Sequence, residues 1–239
     1  MAALMQALGL TCHFGGIRAV DGVDFRLEPG EIHAIIGPNG AGKTTFVSLL
    51  SGRIQAQSGS ITLAGEDITG LPAHARVKKG IAYTFQITSV YPKLSVFDNV
   101  ALAAQSAGAR DLDAQVTAAL AWVNLAGFEY YLAGNLSYGH QRLLEVAMGL
   151  ALKPRILILD EPTQGLAAVE IEGFKALVRS LVPETTVMLI EHNMDVVMDL
   201  ATQITVLNFG QVLAAGTPDH IRANADVQSA YLGGHDVEG

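Results

Sequence analysis

Cysteine is nearly absent: Cys12 is the only one in 239 residues. No intramolecular disulfide can form, and no Cys-rich zinc site can be built. Charge is sparse, at 16% of the residues, where about a quarter is usual. Cations are the scarcer sign, with 15 Lys and Arg against 23 Asp and Glu, a formal charge of −8. The basic surface that general nucleic-acid binding requires is missing, which excludes nucleic acid as an expected partner. A membrane span needs about 18 consecutive apolar residues. The densest stretch, Val146 to Leu152, is bounded by Glu145 and Lys153 and is far shorter. Met1 to Leu10 carries no basic residue and no long apolar block, so it does not read as a secretion signal. The expected location is cytoplasmic.

Apolar residues are plentiful, at half of the chain. Enough apolar surface is available to offset ordering entropy, so disorder is excluded. The length suits one large domain, or one domain with a lobe, and buries a core without disulfide or metal. A mean hydropathy of +0.33 fits a well-filled core. Apolar surface that meets a partner is the second reading.

Val23, Phe25 and Leu27 alternate with Asp24, Arg26 and Glu28, the period of a half-buried strand. Pro29-Gly30 makes a turn. Ile32 to Ile36 reads as a strand buried on both faces, and a helix is expected from about Gly42 to Leu50, stopped near Gly52. Ile61 to Leu63 and Ile81 to Phe85 are further strands. From about Ser89 to Lys153 the pattern turns helical. Ser95 with Asp98 marks one helix start. Leu112, Val116, Ala119, Leu120 and Val123 share one helical face, and Ser137 starts a helix running to about Leu152. Ile156 to Leu159 and Val187 to Ile190 are short apolar runs typical of central parallel strands. Ile171, Phe174, Leu177, Val178 and Leu181 keep helical spacing between them. Ile204 to Ala215 reads as a hairpin turning at Asn208 to Gln211. Strands alternating with helices indicate an α/β domain with a parallel sheet.

Gly37-Pro38-Asn39-Gly40-Ala41-Gly42-Lys43-Thr44-Thr45 directly follows the first buried strand and fits Gly-x4-Gly-Lys-Ser/Thr. The glycines let the backbone wrap a phosphate with several N–H groups pointing inward. The helix that follows presents its positive end to the same oxygens. Lys43 reaches the β- and γ-phosphates, and the Thr44 hydroxyl ligates Mg²⁺. Chance produces this pattern in only about one chain in a hundred of this size. A second acidic site, Asp160-Glu161, ends the apolar run from Ile156. Ligands in open parallel sheets bind at such strand ends. Asp160 is expected to face the Mg²⁺, and Glu161 to act on the attacking water as general base or water-orienter. An acid pair at a strand end is, taken alone, only a solvated loop; the phosphate loop is what gives it meaning.

These residues resemble the nucleotide-binding subunit of ATP-binding cassette (ABC) transporters over essentially the whole chain. Gly37 to Thr45 matches that family's Walker A loop and Ile156 to Glu161 its Walker B strand. Gln86 matches the Q-loop glutamine. Leu136-Ser137-Tyr138-Gly139-His140-Gln141 resembles the signature motif, and His192 sits at the switch-histidine position. The resemblance implies a P-loop NTPase core with an N-terminal antiparallel β part, a single ABC ATPase domain over residues 1–239, and a helical subdomain over about 89–153. It implies that Gln86 touches Mg²⁺ and water, that His192 contacts the γ-phosphate, and that adenine stacks on Phe14, otherwise a core or strand-end residue. Ser137, Tyr138, Gly139, His140 and Gln141 would face the ATP of a second ATPase subunit, identical or paralogous.

Tyr138 and His140 replace the usual Gly and Gln, and Ala167-Ala168 stand where relatives carry a bridging aspartate. The stretches from His13 to Asp21, Thr84 to Gln86, Leu136 to Leu144 and Gly216 to Gly233 look like the branched-chain amino acid uptake group, some relatives of which carry urea, amides or aromatic acids. The resemblance therefore implies an importer ATPase that binds ATP and Mg²⁺, peripheral at the inner face of the cell membrane. Its implied partners are integral membrane permeases that bind near Gln86 to Pro92 and, indirectly, an external solute-binding protein. The alternative is a soluble cassette ATPase that acts in assembly without a permease.

Overall fold

The structure is a computed structural model that describes residues 3–84 and 89–232. The chain divides into two compact units, Met1–Arg76 with Met188–Gly239, and Val77–Val187.

In the first unit, β1 (Met5–Phe14) and β2 (Ile17–Leu27) form an antiparallel pair. The expected alternation is present, with Val23, Phe25 and Leu27 buried and Asp24 and Arg26 exposed. β3 (Ile32–Ile36) is buried throughout and leads through the Gly-rich loop into α1 (Lys43–Ser51). β4 (Ser58–Leu63) and β5 (Glu66–Asp67) complete an antiparallel sheet in the order β2-β1-β4-β5. The predicted stop at Gly52 is observed. Gly52 adopts φ 77° and its N–H caps the last carbonyls of α1, a conformation glycine reaches without Cβ strain.

A cation completes that helix end. Arg76, on α2 (Ala73–Lys78), is 1% exposed. Its guanidinium donates to the carbonyls of Leu49, Leu50, Leu71 and Thr69 at 2.8–2.9 Å. It thus satisfies orphan carbonyls of the phosphate-loop helix at the negative end of its dipole.

In the second unit, β6 (Ile81–Thr84) runs parallel to β7 (Ile156–Asp160). Phe85, expected to end β6, lies outside the described residues. Between these strands come α3 (Val96–Ser106), α4 (Leu112–Trp122) and α5 (Tyr138–Ala151). Ser95 caps α3 by accepting the Asp98 N–H, as its spacing predicts. Val116, Ala119, Leu120 and Val123 are buried on the predicted face. A Cβ on Gly149 would come 2.9 Å from Leu157 Cδ1, so α5 lies close on β7. α6 (Ala168–Leu181) buries Phe174, Leu177, Val178 and Leu181 and leads to β8 (Thr186–Ile190).

The chain then returns to the first unit. α7 (Met194–Leu200) precedes β9 (Gln203–Asn208), which pairs in parallel with β3. β10 (Gln211–Gly216) closes the predicted hairpin, and α8 (Pro218–Ala223) and α9 (Ala225–Leu232) follow. Ala34 and Ile36 of β3 pack with Ile204 and Val206 of β9, Val197 of α7 and Ile221 of α8. The phosphate loop therefore springs from a rigid strand.

Arg76→Leu should lower unfolding free energy by about 3 kcal/mol or more, because buried carbonyls lose a charged donor. Urea denaturation checks this. An unchanged midpoint would show that α1 needs no such cap.

Candidate functional site: a phosphate loop and an acidic strand end

The loop from Gly37 to Thr45 belongs to the first unit. Its shape leaves no room for side chains at two positions. A Cβ on Gly37 would lie 2.2 Å from the Leu207 carbonyl oxygen, and one on Gly42 would lie 2.0 Å from the Ala19 carbonyl oxygen. Gly42, at φ 98°, is also the N-cap of α1 and brings no side chain to occupy the first amides of that helix. Those amides stay available to an anion. The Ala41 N–H donates to Pro38 O at 3.1 Å, which makes a tight turn at Asn39 and Gly40.

The Lys43 ammonium folds back over the loop and donates to Gly37 O at 2.6 Å and Pro38 O at 3.0 Å. It is thereby held over the loop. The Thr44 side chain is exposed and free of the core, as a ligand of a phosphate-bound divalent ion must be. The residues present therefore fit a Mg²⁺-bearing polyphosphate.

The β9–β10 hairpin supports the loop, which sequence reading did not reveal. The Gly210 N–H donates to Ala41 O at 3.0 Å, and the Asp21 N–H donates to Gly210 O at 2.9 Å. Phe14 ends β1 opposite Ile17. It is 51% exposed, so its ring is available for stacking and is not a core residue. His192 follows β8 and is exposed, beside a buried Glu191. Glu191 Oε2 accepts the backbone N–H of His192 at 3.0 Å and of Asn193 at 3.1 Å, and Asn193 caps α7. The carboxylate of Glu191 thus shapes the turn that carries the histidine. Spacing gave no hint of this role.

The acidic pair belongs to the second unit. Asp160 is 5% exposed at the end of β7 and accepts a hydrogen bond from the Tyr83 hydroxyl of β6. Tyr83 was not visible as a functional residue in the sequence. Parallel register places it one pair before the end of β6, with Tyr83 opposite Ile158. Glu161 takes the left-handed conformation at φ 46°, which is costly for a residue with a Cβ and recurs at functional sites. The residue is only partly buried.

Ser137 caps α5 by accepting the His140 N–H at 3.2 Å. The hydroxyl remains able to donate. Gly139 is buried because the Glu170 carboxylate lies against it, with Oε1 2.2 Å from where a Cβ would stand. Glu170 also accepts the Ala167 N–H at 2.8 Å, so it serves the start of α6 while facing the positive end of α5. Tyr138 is exposed and lies against Gly165. His140 packs edge-on to Phe128, with ring centroids 5.0 Å apart, and the Gln141 amide donates to Leu136 O. Gln86 lies outside the described residues.

Residues 20–164 match the ABC transporter family, and residues 211–237 match the family described as branched-chain amino acid ATP-binding cassette transporter. The chain is 41% identical to the high-affinity branched-chain amino acid transport ATP-binding protein BraF of Pseudomonas aeruginosa, covering 96% of this chain and 98% of BraF. It is 37% identical to LivG of Escherichia coli, with the same description and the same coverage. Among solved structures, a nucleotide-free ATP-binding cassette from an ABC transporter superposes with a TM-score of 0.88 at 24% identity, over 96% of this chain and 99% of that one. The ADP conformation of the cassette MJ1267 gives 0.88 at 24% identity, over 98% and 100%. At that identity the superpositions establish the fold, a P-loop ABC cassette. With relatives this similar along nearly its whole length, the chain belongs to the ABC transporter family.

Proposed function

We propose that this chain is the ATP-binding and ATP-hydrolysing subunit of an importer whose cargo is a branched-chain or other hydrophobic amino acid. The observation that carries the reading is the loop from Gly37 to Thr45, with no room for a Cβ at Gly37 or Gly42 and its lysine held over the cradle. The cargo is supported by BraF and LivG, branched-chain amino acid transport ATP-binding proteins to which the chain is similar along 96% of its length.

The loop amides and Lys43 bind the triphosphate and carry the charge that develops on it. Thr44, Asp160 and Gln86 are the residues that would hold Mg²⁺, which neutralises phosphate oxygens when bound. Glu161 and His192 orient water for in-line attack on the γ-phosphate. Phe14 stacks on adenine. Ser137, Tyr138, Gly139, His140 and Gln141 contact the triphosphate held by a second ATPase subunit, so that two nucleotides are clasped between two subunits. Nucleotide then acts as a ligand with different affinity for open and closed states.

Among the described residues no helix is long and apolar enough to cross a membrane. The path for cargo lies in permease subunits, partners that the likeness to transport ATP-binding proteins supports. An external solute-binding protein delivers the cargo to them. The permease-docking surface lies in the second unit near Tyr91. There the backbone of Pro92 to Phe97 is bonded to that of Glu129 to Gly134. Tyr91, Tyr130, Tyr131 and Leu132 are all exposed along that pairing, an aromatic surface of the kind that seats a partner. Such a surface favours the transporter over a permease-free assembly ATPase.

Glu161→Gln should keep ATP binding, stop turnover and stabilise the ATP-bound dimer, as read by calorimetry, phosphate release and sedimentation. Turnover at the wild-type rate would remove Glu161 from the chemistry. Lys43→Ala and Gly42→Ala should each lower ATP affinity by about tenfold or more, Lys43 through a lost charge-assisted bond and Gly42 through a clash with Ala19 O. Unchanged calorimetric affinity in either variant would contradict the loop assignment.

A further inference from the structure

Two ionisable side chains are buried in the second unit, Arg142 and Glu145. Arg142 is 1% exposed and Glu145 5%. Both lie on α5, one turn apart, and the Arg142 guanidinium donates to Glu145 Oε2 at 2.8 Å. Each also holds a distant piece of backbone. Arg142 Nη2 donates to the carbonyl oxygen of Glu161 at 3.2 Å. Glu145 Oε1 accepts the N–H of Ser89 at 2.5 Å, the first described residue after Gln86. Burial pushes the Glu145 carboxyl up from its ordinary value, against the pull of the Ser89 amide and Arg142. Glu145 and Ser89 also line a cavity of about 280 Å³ with Tyr83, the residue bonded to Asp160.

A buried ion pair is weak evidence of a stabilising role, because well-packed apolar residues often serve the fold equally well. The bonding pattern supplies a different reason for this one. The planar fork of Arg142 reaches two acceptors at once, one of them the main chain of a residue in a strained left-handed turn. Glu145 uses both of its oxygens, one for Arg142 and one for Ser89.

We propose that Arg142 and Glu145 are positioning residues for ATP hydrolysis. The pair ties the Glu161 backbone and the Ser89 backbone to one turn of α5, the helix that begins at Ser137. The placement of the water-orienting carboxylate is thereby set by the same helix that presents the signature residues to a partner's nucleotide. The inference rests on the reading of Glu161 as that carboxylate.

Two near-isosteric variants of the full chain test it. In Arg142→Lys a single flexible ammonium replaces the planar fork, so the fixed two-pronged geometry that joins Glu145 to the Glu161 carbonyl is lost. In Glu145→Gln one acceptor oxygen replaces two. Both keep the buried volume, whereas Arg142→Ala strands a buried carboxylate and risks unfolding. The double variant Arg142→Met with Glu145→Leu removes both charges together, as a check on folding. Melting temperature, calorimetric ATP affinity, and steady-state kcat and KM are measured for each.

The expected result is a kcat loss of about tenfold or more in Arg142→Lys and Glu145→Gln, with ATP affinity and KM within about twofold of wild type. The double variant, where folded, should show the same kcat loss whatever its melting temperature. Wild-type kcat in the two folded single variants overturns the proposal. So does a kcat loss that merely follows a fall in ATP affinity or melting temperature, since that is the mark of a packing role. Glu161→Gln serves as the control. If it also turns over normally, the reading of Glu161 fails; if it is inactive while the pair variants are not, only the positioning role fails.

Discussion

At two positions the main chain of the phosphate loop sits where no side chain could stand. Gly37 approaches the Leu207 carbonyl and Gly42 the Ala19 carbonyl, each closer than a Cβ would allow. These approaches dock the loop against the β9–β10 hairpin on one side and β2 on the other. They let the first amides of α1 converge on an anion, and Arg76 secures the far end of the same helix. A loop free to sample many conformations would have to be ordered on binding, at an entropic cost that a pre-set loop avoids. β3, buried along its whole length and packed against β9, is the anchor from which this geometry is built.

The second unit is organised around α5. Its first turn carries the signature residues, its second carries the Arg142–Glu145 pair, and Gly149 lets its last turns lie close on β7. Glu161 and Asp160 are held by different devices. Asp160 has a phenolic donor from the neighbouring strand. Glu161 has a left-handed turn whose carbonyl is tethered by a buried guanidinium. Both devices act on backbone or carboxylate position.

Local features were legible in the sequence. The alternation from Val23 to Leu27, the glycine stop at Gly52, the Ser95 and Ser137 caps and the turn at Asn208 to Gln211 all rest on interactions within a few residues, where period and turn chemistry speak directly. The phosphate loop was legible because its motif is itself local. The supports of the site were not. Arg76 caps carbonyls 26 and 27 residues away, and Tyr83 reaches Asp160 across 77 residues. Glu145 meets Ser89 across 56, and Glu170 fills the space at Gly139. Such pairs form only once strands align and helices pack, so no spacing rule announces them. A buried arginine read one residue at a time looks like any charged surface position.

In the proposed function nucleotide is shared between two molecules, the Ser137 end of α5 in each facing the triphosphate bound to the other. A cryo-EM reconstruction of the Glu161→Gln chain with ATP and Mg²⁺ tests this directly. The predicted map shows paired molecules with Ser137 and Gly139 of each against the γ-phosphate held by its partner's Gly37 to Thr45 loop. Nucleotide bound in that loop while Ser137 of every molecule faces solvent would contradict it.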